Sequence, residues 1–280
     1  MEVTLWGTRG SLATPGPETA RYGGNTACIG VRGREGTILV LDAGTGIRRL
    51  GTSLPAKLER VDVLLTHLHM DHVQGLGFFA PLYRAGVNVH IWGPASATMG
   101  LQERLKRYLS PPLFPVHLSE LPCKTTFHTV PNGEVEIGEF RVTADLICHP
   151  GPTVGYRVTD GQGKVMTFMP DHEPALGNPH FPNVPFEWTS GAHLAANADL
   201  LIHDSQYSSQ EYWDHCGWGH SSLAQAIKFG QLCEIRQLST FHHDPNHNDA
   251  ELDKLIADAI EETNPPFEVV PGCEGSVFNL

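Results

Sequence analysis

Between residues 66 and 75 the chain reads THLHMDHVQG, which places His67, His69, Asp71 and His72 within one short turn. Imidazole and carboxylate together suit zinc, manganese or iron. The i, i+2 pair His67 and His69 can face one ion while the adjacent Asp71 and His72 face a second. Two ions ~3.5–4 Å apart can hold a hydroxide between them and stabilise both the attacking and the leaving oxygen. Completing two such sites takes about three more ligands. Candidates lie downstream: His149 in LICHPGPT, Asp171 in FMPDHE, and His242 or His243 in TFHHDP. An aspartate can bridge, because each of its two oxygens can take one metal. His90, His117, His128, His180, His193 and His247 read instead as surface or hydrogen-bonded histidines.

These residues need elements that end where they begin. Short apolar runs rich in β-branched residues, ended by glycine, predict strands at VTLW (3–6), ACIGV (27–31) and TILVLDAG (37–44). A helix-like stretch follows at 45–54. VDVLLT (61–66) is nearly all apolar, as in a strand buried on both faces, and the His/Asp cluster starts where it stops. The second half repeats the rhythm with strands at 140–147, 154–158, 164–171, 198–205 and 235–244, and helices at 221–231 and 249–262. Strands in series followed by strand–helix alternation, in both halves, predict two β-sheets packed face to face with helices outside. The chemical residues fall at strand ends, where α/β folds place their sites.

Composition narrows the partners. The 280 residues, 40% of them hydrophobic, suffice for a substantial core, and without a linker-like segment a single domain over 1–280 is the simpler reading. A net charge of −12 argues against broad electrostatic capture of long nucleic acid. Residues 1–50 nevertheless hold six arginines against four acids, so a small anion can be bound locally. The six cysteines are scattered and read as reduced thiols in a cytoplasmic protein. No apolar run approaches the ~18 residues of a membrane span.

With HLHMDH, LDAGTG (41–46), His149, Asp171 and the terminal histidine in this order, the chain resembles the metallo-β-lactamase superfamily. The resemblance implies an αββα sandwich with a dinuclear metal site. It places His67, His69 and His149 on one ion, and Asp71, His72 and a terminal histidine on the other, with Asp171 bridging. Asp42 would hold the His/Asp loop by hydrogen bonds. His242 is favoured over His243 as the terminal ligand, because it comes first after the strand and three residues before Pro245, as in related T-H-x-x-P endings. Zinc, manganese or iron would satisfy this set.

The sub-pattern bears on the reaction. Asp171 stands where true β-lactamases carry a cysteine or another residue, and His69 stands where oxygen-reducing di-iron relatives carry glutamate, so both chemistries are disfavoured. LIHDSQY (201–207) and GWGHSSLAQA (217–226) are similar to segments of the ribonuclease Z phosphodiesterase branch, with Asp204 in place of glutamate. The resemblance implies that His220, oriented by Asp204, protonates the leaving oxygen, with Asp71 part of the catalytic set. The loop at 7–29 looks like that of small-phosphodiester hydrolases, so Arg9, Arg21 and Asn25 are candidate substrate contacts, and Tyr207, Tyr212, Trp213 and Trp218 candidate stacking surfaces. Because the chain is acidic and lacks a long Gly/Pro-rich insertion of the kind that clamps tRNA, a small phosphodiester or nucleotide, such as a cyclic nucleotide, is expected rather than a long nucleic acid. A homodimer is implied by resemblance alone. Two rival expectations are a lactone or thioester hydrolase using the same metals, and a non-catalytic metal-dependent nucleotide-binding protein.

Overall fold

Strands whose two faces are both apolar must be covered on both sides, and the fold meets that demand with two stacked sheets. The computed structural model describes residues 1–130 and 133–280. The first sheet contains β1 (Glu2–Gly7), β2 (Cys28–Arg32), β3 (Ile38–Leu41), β4 (Arg60–Leu64), β5 (Asn88–Pro94) and β6 (Lys124–Val130) in spatial order. The second runs from β7 (Gly133–Ile137) through β8 (Phe140–Leu146), β9 (Val154–Thr159), β10 (Val165–Met169), β11 (Leu200–Asp204) and β12 (Gln237–Phe241) to β13 (Glu268–Val270). The C-terminal β14 (Val277–Asn279) returns to pair antiparallel with β1 in the first sheet. Each sheet begins antiparallel and becomes parallel, at β3–β6 in the first and β10–β13 in the second. The parallel strands therefore end on one edge of each sheet, and those edges carry the chemistry.

Alternation along the strands sorts side chains between three layers. Leu39 and Leu41 of β3, with Leu200 and Ile202 of β11, point into the core between the sheets, where they join Val158, Phe168 and Phe241. Val40 and Val63 face outward and are covered by α1 (Ile47–Ser53) and α3 (Leu101–Lys106) through Leu50 and Leu105. Leu201 and Leu238 face outward on the second sheet, under α6 (Leu223–Leu232) and α7 (Asp249–Thr263), which contribute Ile227, Phe229, Leu252 and Ile256. The remaining helices are short: α2 (Met70–Val73), α4 (Ala192–Ala195) and α5 (Ser209–Asp214). This is the αββα sandwich expected from the sequence. Among the described residues, no helix is long and apolar enough to cross a membrane.

The predicted strands and helices are present with boundaries shifted by a few residues, and five strands were not foreseen: β5, β6, β7, β13 and β14. In β5 and β6 the apolar pattern is broken by His90 and His128. Their rings stack on each other, 5.1 Å between centroids, and the His128 ring stacks on Trp92 at 3.9 Å. The histidines replace apolar contacts with a flat polar stack that sequence periodicity does not register.

Candidate metal centre

The first ligand loop is set by one buried aspartate. β3 ends at Leu41, and Asp42 turns the chain in the left-handed region (φ 59°), a conformation Asp tolerates better than most residues. Its carboxylate accepts hydrogen bonds from the Thr66 amide (2.8 Å) and hydroxyl (2.9 Å) and lies 2.8 Å from His72 Nδ1. Asp42 thereby fixes both the start of the His/Asp loop and the ring that loop delivers, as expected of it. His69 caps the single turn α2, which carries Asp71 and His72.

The second sheet supplies the rest. β8 leads to His149, whose Nδ1 lies 2.9 Å from the Gly219 carbonyl and whose Nε2 is 3.2 Å from His69 Nδ1. β10 leads to Asp171. β12 leads to His242, which also sits in the left-handed region (φ 59°), with Nδ1 3.0 Å from Gln206 Oε1. Its neighbour His243 turns the other way, to the Gly272 carbonyl at 2.9 Å, so only His242 joins the cluster.

Two groups of side chains converge, His67, His69, His149 and Asp171 in one and Asp71, His72, Asp171 and His242 in the other, with all ligand atoms of each group within 4.8 Å of one another. Asp171 divides its oxygens between them. Oδ2 lies 3.6 and 3.7 Å from His67 and His149 Nε2, while Oδ1 lies 3.0 and 3.3 Å from His72 and His242 Nε2. In the second group, His242 Nε2 is 3.3 Å from His72 Nε2 and 3.2 Å from Asp71 Oδ2. Ligands about 2.0–2.1 Å from a tetrahedral ion stand roughly 3.3 Å apart, so these spacings suit a divalent cation at the centre. Among the described residues His67 Nε2 is buried without a hydrogen-bond partner, and Asp171 Oδ1 meets only the ring nitrogens of His72 and His242, a shortfall that a cation would remedy.

The electrostatics ask for the same. Burial opposes the charged forms of Asp171 and Asp71, yet the surrounding imidazoles outweigh it and hold both carboxyls well below their usual range. Burial also opposes a charge on His72, and Asp171, Asp71 and Asp42 reverse that balance. Three carboxylates thus enclose a buried space that favours positive charge.

Beside the cluster stands a second arrangement. Asp204, the last residue of β11, has Oδ2 2.6 Å from His220 Nδ1, while its Oδ1 accepts from the amides of Gln206 and Ser221, both at 3.1 Å. The His220 ring stacks on His242 at 4.9 Å and meets His149 edge-on at 5.1 Å. Burial disfavours its cation, but Asp204, with Asp171 and Asp71, more than compensates and pushes the ring up to about 9. α6 starts just beyond, capped by Ser222.

Two residues that sequence reasoning passed over support this layout. Glu173, fully buried, accepts from Tyr212 Oη (2.7 Å), the Gly217 amide (3.0 Å) and the Gly219 amide (2.9 Å), and so holds the loop that bears His220 and supports His149. A Cβ at Gly219 would stand 2.3 Å from His149 Nδ1, so glycine is required there. Gln206 spans from His242 to Asp244, donating to its Oδ2 at 3.0 Å. The only sequence signal for either was proximity to a ligand or to Asp204.

The proposed substrate contacts are not brought to the cluster. Arg9 is fully buried and donates to the carbonyls of Gly23 (2.9 Å), Asp244 (3.0 Å) and His247 (2.7 Å), so its guanidinium fastens loops rather than facing a substrate. Arg21 is exposed and paired bidentately with Asp253 on α7. Asn25 is turned to Glu274, donating through its amide at 2.6 Å and its side chain at 2.9 Å. Tyr207 and Tyr212 are buried, while Trp213 and Trp218 are exposed.

The chain is 28% identical over 241 residues to a ribonuclease Z of Thermosynechococcus vestitus, a match spanning 70% of this chain and 57% of that one. It is 25% identical to a ribonuclease Z of Thermococcus onnurineus over 97% of this chain and 92% of the other. In three dimensions it overlays on the short form of human tRNase Z with a TM-score of 0.69 at 20% identity, covering 100% of this chain and 99% of that one. These relatives overturn the expectation that no long nucleic acid is involved. Net charge is a sum over the whole surface, and it does not determine the potential at a site where cations gather. The beta-lactamase superfamily domain profile matches residues 37–243, and a match over most of a chain with this topology makes it a member of the beta-lactamase superfamily with the metallo-β-lactamase fold.

Proposed function

We propose that this chain is a metal-dependent nuclease or phosphodiesterase that cleaves a nucleotide phosphodiester. The observation that carries the reading is the His220–Asp204 pair, 2.6 Å apart and stacked against the candidate ligand His242. An alkoxide leaving from phosphorus needs a proton, and a histidine held cationic beside a carboxylate is suited to give one. With Nδ1 engaged by Asp204, the proton to be delivered sits on Nε2. Asp204 is itself held by two backbone amides, so it orients the ring without being free to move.

Two divalent ions, zinc foremost, held by His67, His69, His149, Asp71, His72, His242 and the shared Asp171, would supply an activated water and neutralise charge developing on the phosphoryl oxygens. A cyclic nucleotide and an RNA linkage present this same chemistry. All six cysteines are free, which fits a reducing, cytoplasmic setting.

The test is initial rates of wild type and His220→Ala on bis(p-nitrophenyl) phosphate and on a diester with an alkyl leaving group, with zinc, manganese or iron restored and metal content measured. Turnover that requires about two metals per chain supports the reading. Full metal loading without hydrolysis, together with turnover of lactones or thioesters, refutes it.

A further inference from the structure

Segment 174–190 leaves the centre just after Asp171 and returns to it at Ser190. Both of its roots grip Cys148, the residue before His149. The Cys148 amide donates to Ser190 Oγ at 2.8 Å, and the Cys148 carbonyl accepts from the Glu173 amide at 2.9 Å. Within this bracket lies a cavity of about 440 Å³ whose walls include Cys148, Pro174, Leu176, Phe181, Val184 and Trp188. Its volume falls in the range of small-molecule sites, and no charged side chain lines it among the described residues.

The cavity wall joins the metal centre through Cys148, the residue before His149, and none of the candidate ligands lines it. His69 is exposed and His149 half-buried, whereas Asp71, His72, Asp171 and His242 are buried, so the cluster opens toward His69 and His149. Cys148 is adjacent to His149, with Cα atoms about 3.8 Å apart. At the rim, Trp188 is 84% exposed, leaving a large flat indole face in water. Such a face gains by stacking with another ring.

We propose that this cavity receives the nucleobase attached to the scissile phosphodiester, with Trp188 stacking on it. The inference rests on the phosphodiester reading. A phosphate or a run of sugar-phosphate would find no cation in the cavity. A base presents a flat apolar face to Trp188 and Leu176, with edge acceptors for the side-chain NH2 of Asn178, whose Oδ1 is taken by the His180 amide at 2.9 Å.

The test compares two esters with one leaving group, thymidine 5′-(p-nitrophenyl) phosphate and methyl p-nitrophenyl phosphate. Trp188→Ala, at an exposed position, should lower kcat/KM on the thymidine ester about tenfold and change the methyl ester less than about twofold. Equal effects on both esters, or none on either, overturn the proposal. If metal-loaded wild type cleaves neither ester, the phosphodiester reading has failed and the cavity is judged by binding alone. Thymidine 5′-monophosphate should then quench tryptophan fluorescence in wild type but not in Trp188→Ala, and ribose 5-phosphate should quench neither. Identical quenching of wild type and variant overturns the proposal in that case.

Discussion

His242 and His220 lie face to face, 4.9 Å between ring centroids and 14° between planes, although one follows β12 and the other precedes α6. Stacking holds the candidate proton donor against a candidate metal ligand, so a leaving oxygen beside the cations is also beside the donor.

That arrangement makes His220→Ala selective. The loss should reach about 100-fold or more on a diester with an alkyl leaving group and be much smaller on a p-nitrophenyl leaving group, which departs without a proton. Rates on the two esters at matched metal content measure it, and equal losses would count against proton donation.

Asp204→Asn should move the alkaline limb of the pH–rate profile to lower pH. His220 donates only when protonated, and its pKa is raised to about 9 because its carboxylate neighbours outweigh burial. Activity that depends on this proton is therefore present below the folded pKa and lost as pH rises through it. Bound cations would cancel the influence of Asp171 and Asp71, leaving Asp204 as the main support. Without it, burial drives the pKa down. An unmoved limb would sever Asp204 from the titration.

Metal content should separate the adjacent histidines. His242→Ala is expected to lower stoichiometry by about one ion per chain and Asp171→Asn to lower it further, because that carboxylate faces both groups. His243→Ala should leave stoichiometry unchanged, since His243 is bound to the Gly272 carbonyl. Elemental analysis of the three variants decides between these outcomes.

Glu173→Gln keeps size but exchanges an acceptor-only carboxylate for an amide facing N–H donors at Gly217 and Gly219. We expect kcat to fall about tenfold or more, with metal content and KM little changed, because the loop bearing His220 loses its anchor. Unaltered kcat would relegate Glu173 to packing.

Arg9→Met should cost about 3–5 kcal/mol, because three buried carbonyls lose a charged donor at once. Urea unfolding at constant metal concentration reads the loss.

The convergence of the candidate ligands was legible because a dense His/Asp turn followed a strand buried on both faces, and each partner stood at another predicted strand end. The roles of Arg9, Arg21 and Asn25 were not. A local surplus of arginine says nothing about direction, and Arg9 is held by carbonyls 235 and 238 residues away, which local sequence cannot reveal. Glu173 escaped notice for a related reason, since its partners at 212, 217 and 219 lie across a long excursion of the chain. β13 and β14, three residues each, are too short to show periodicity, and acidity summed over the chain misled about nucleic acid.

Asp171 is the one carboxylate that looks into both ligand groups, and those groups draw on both sheets: His67, His69, Asp71 and His72 follow a strand of the first, while His149, Asp171 and His242 follow strands of the second. Cations held there would act as staples across the seam of the sandwich, in a chain whose six cysteines form no disulfide. Chelation should thus do more than abolish turnover: it should unfasten one edge of the two sheets and expose the loops at 65–75 and 242–248 to protease first.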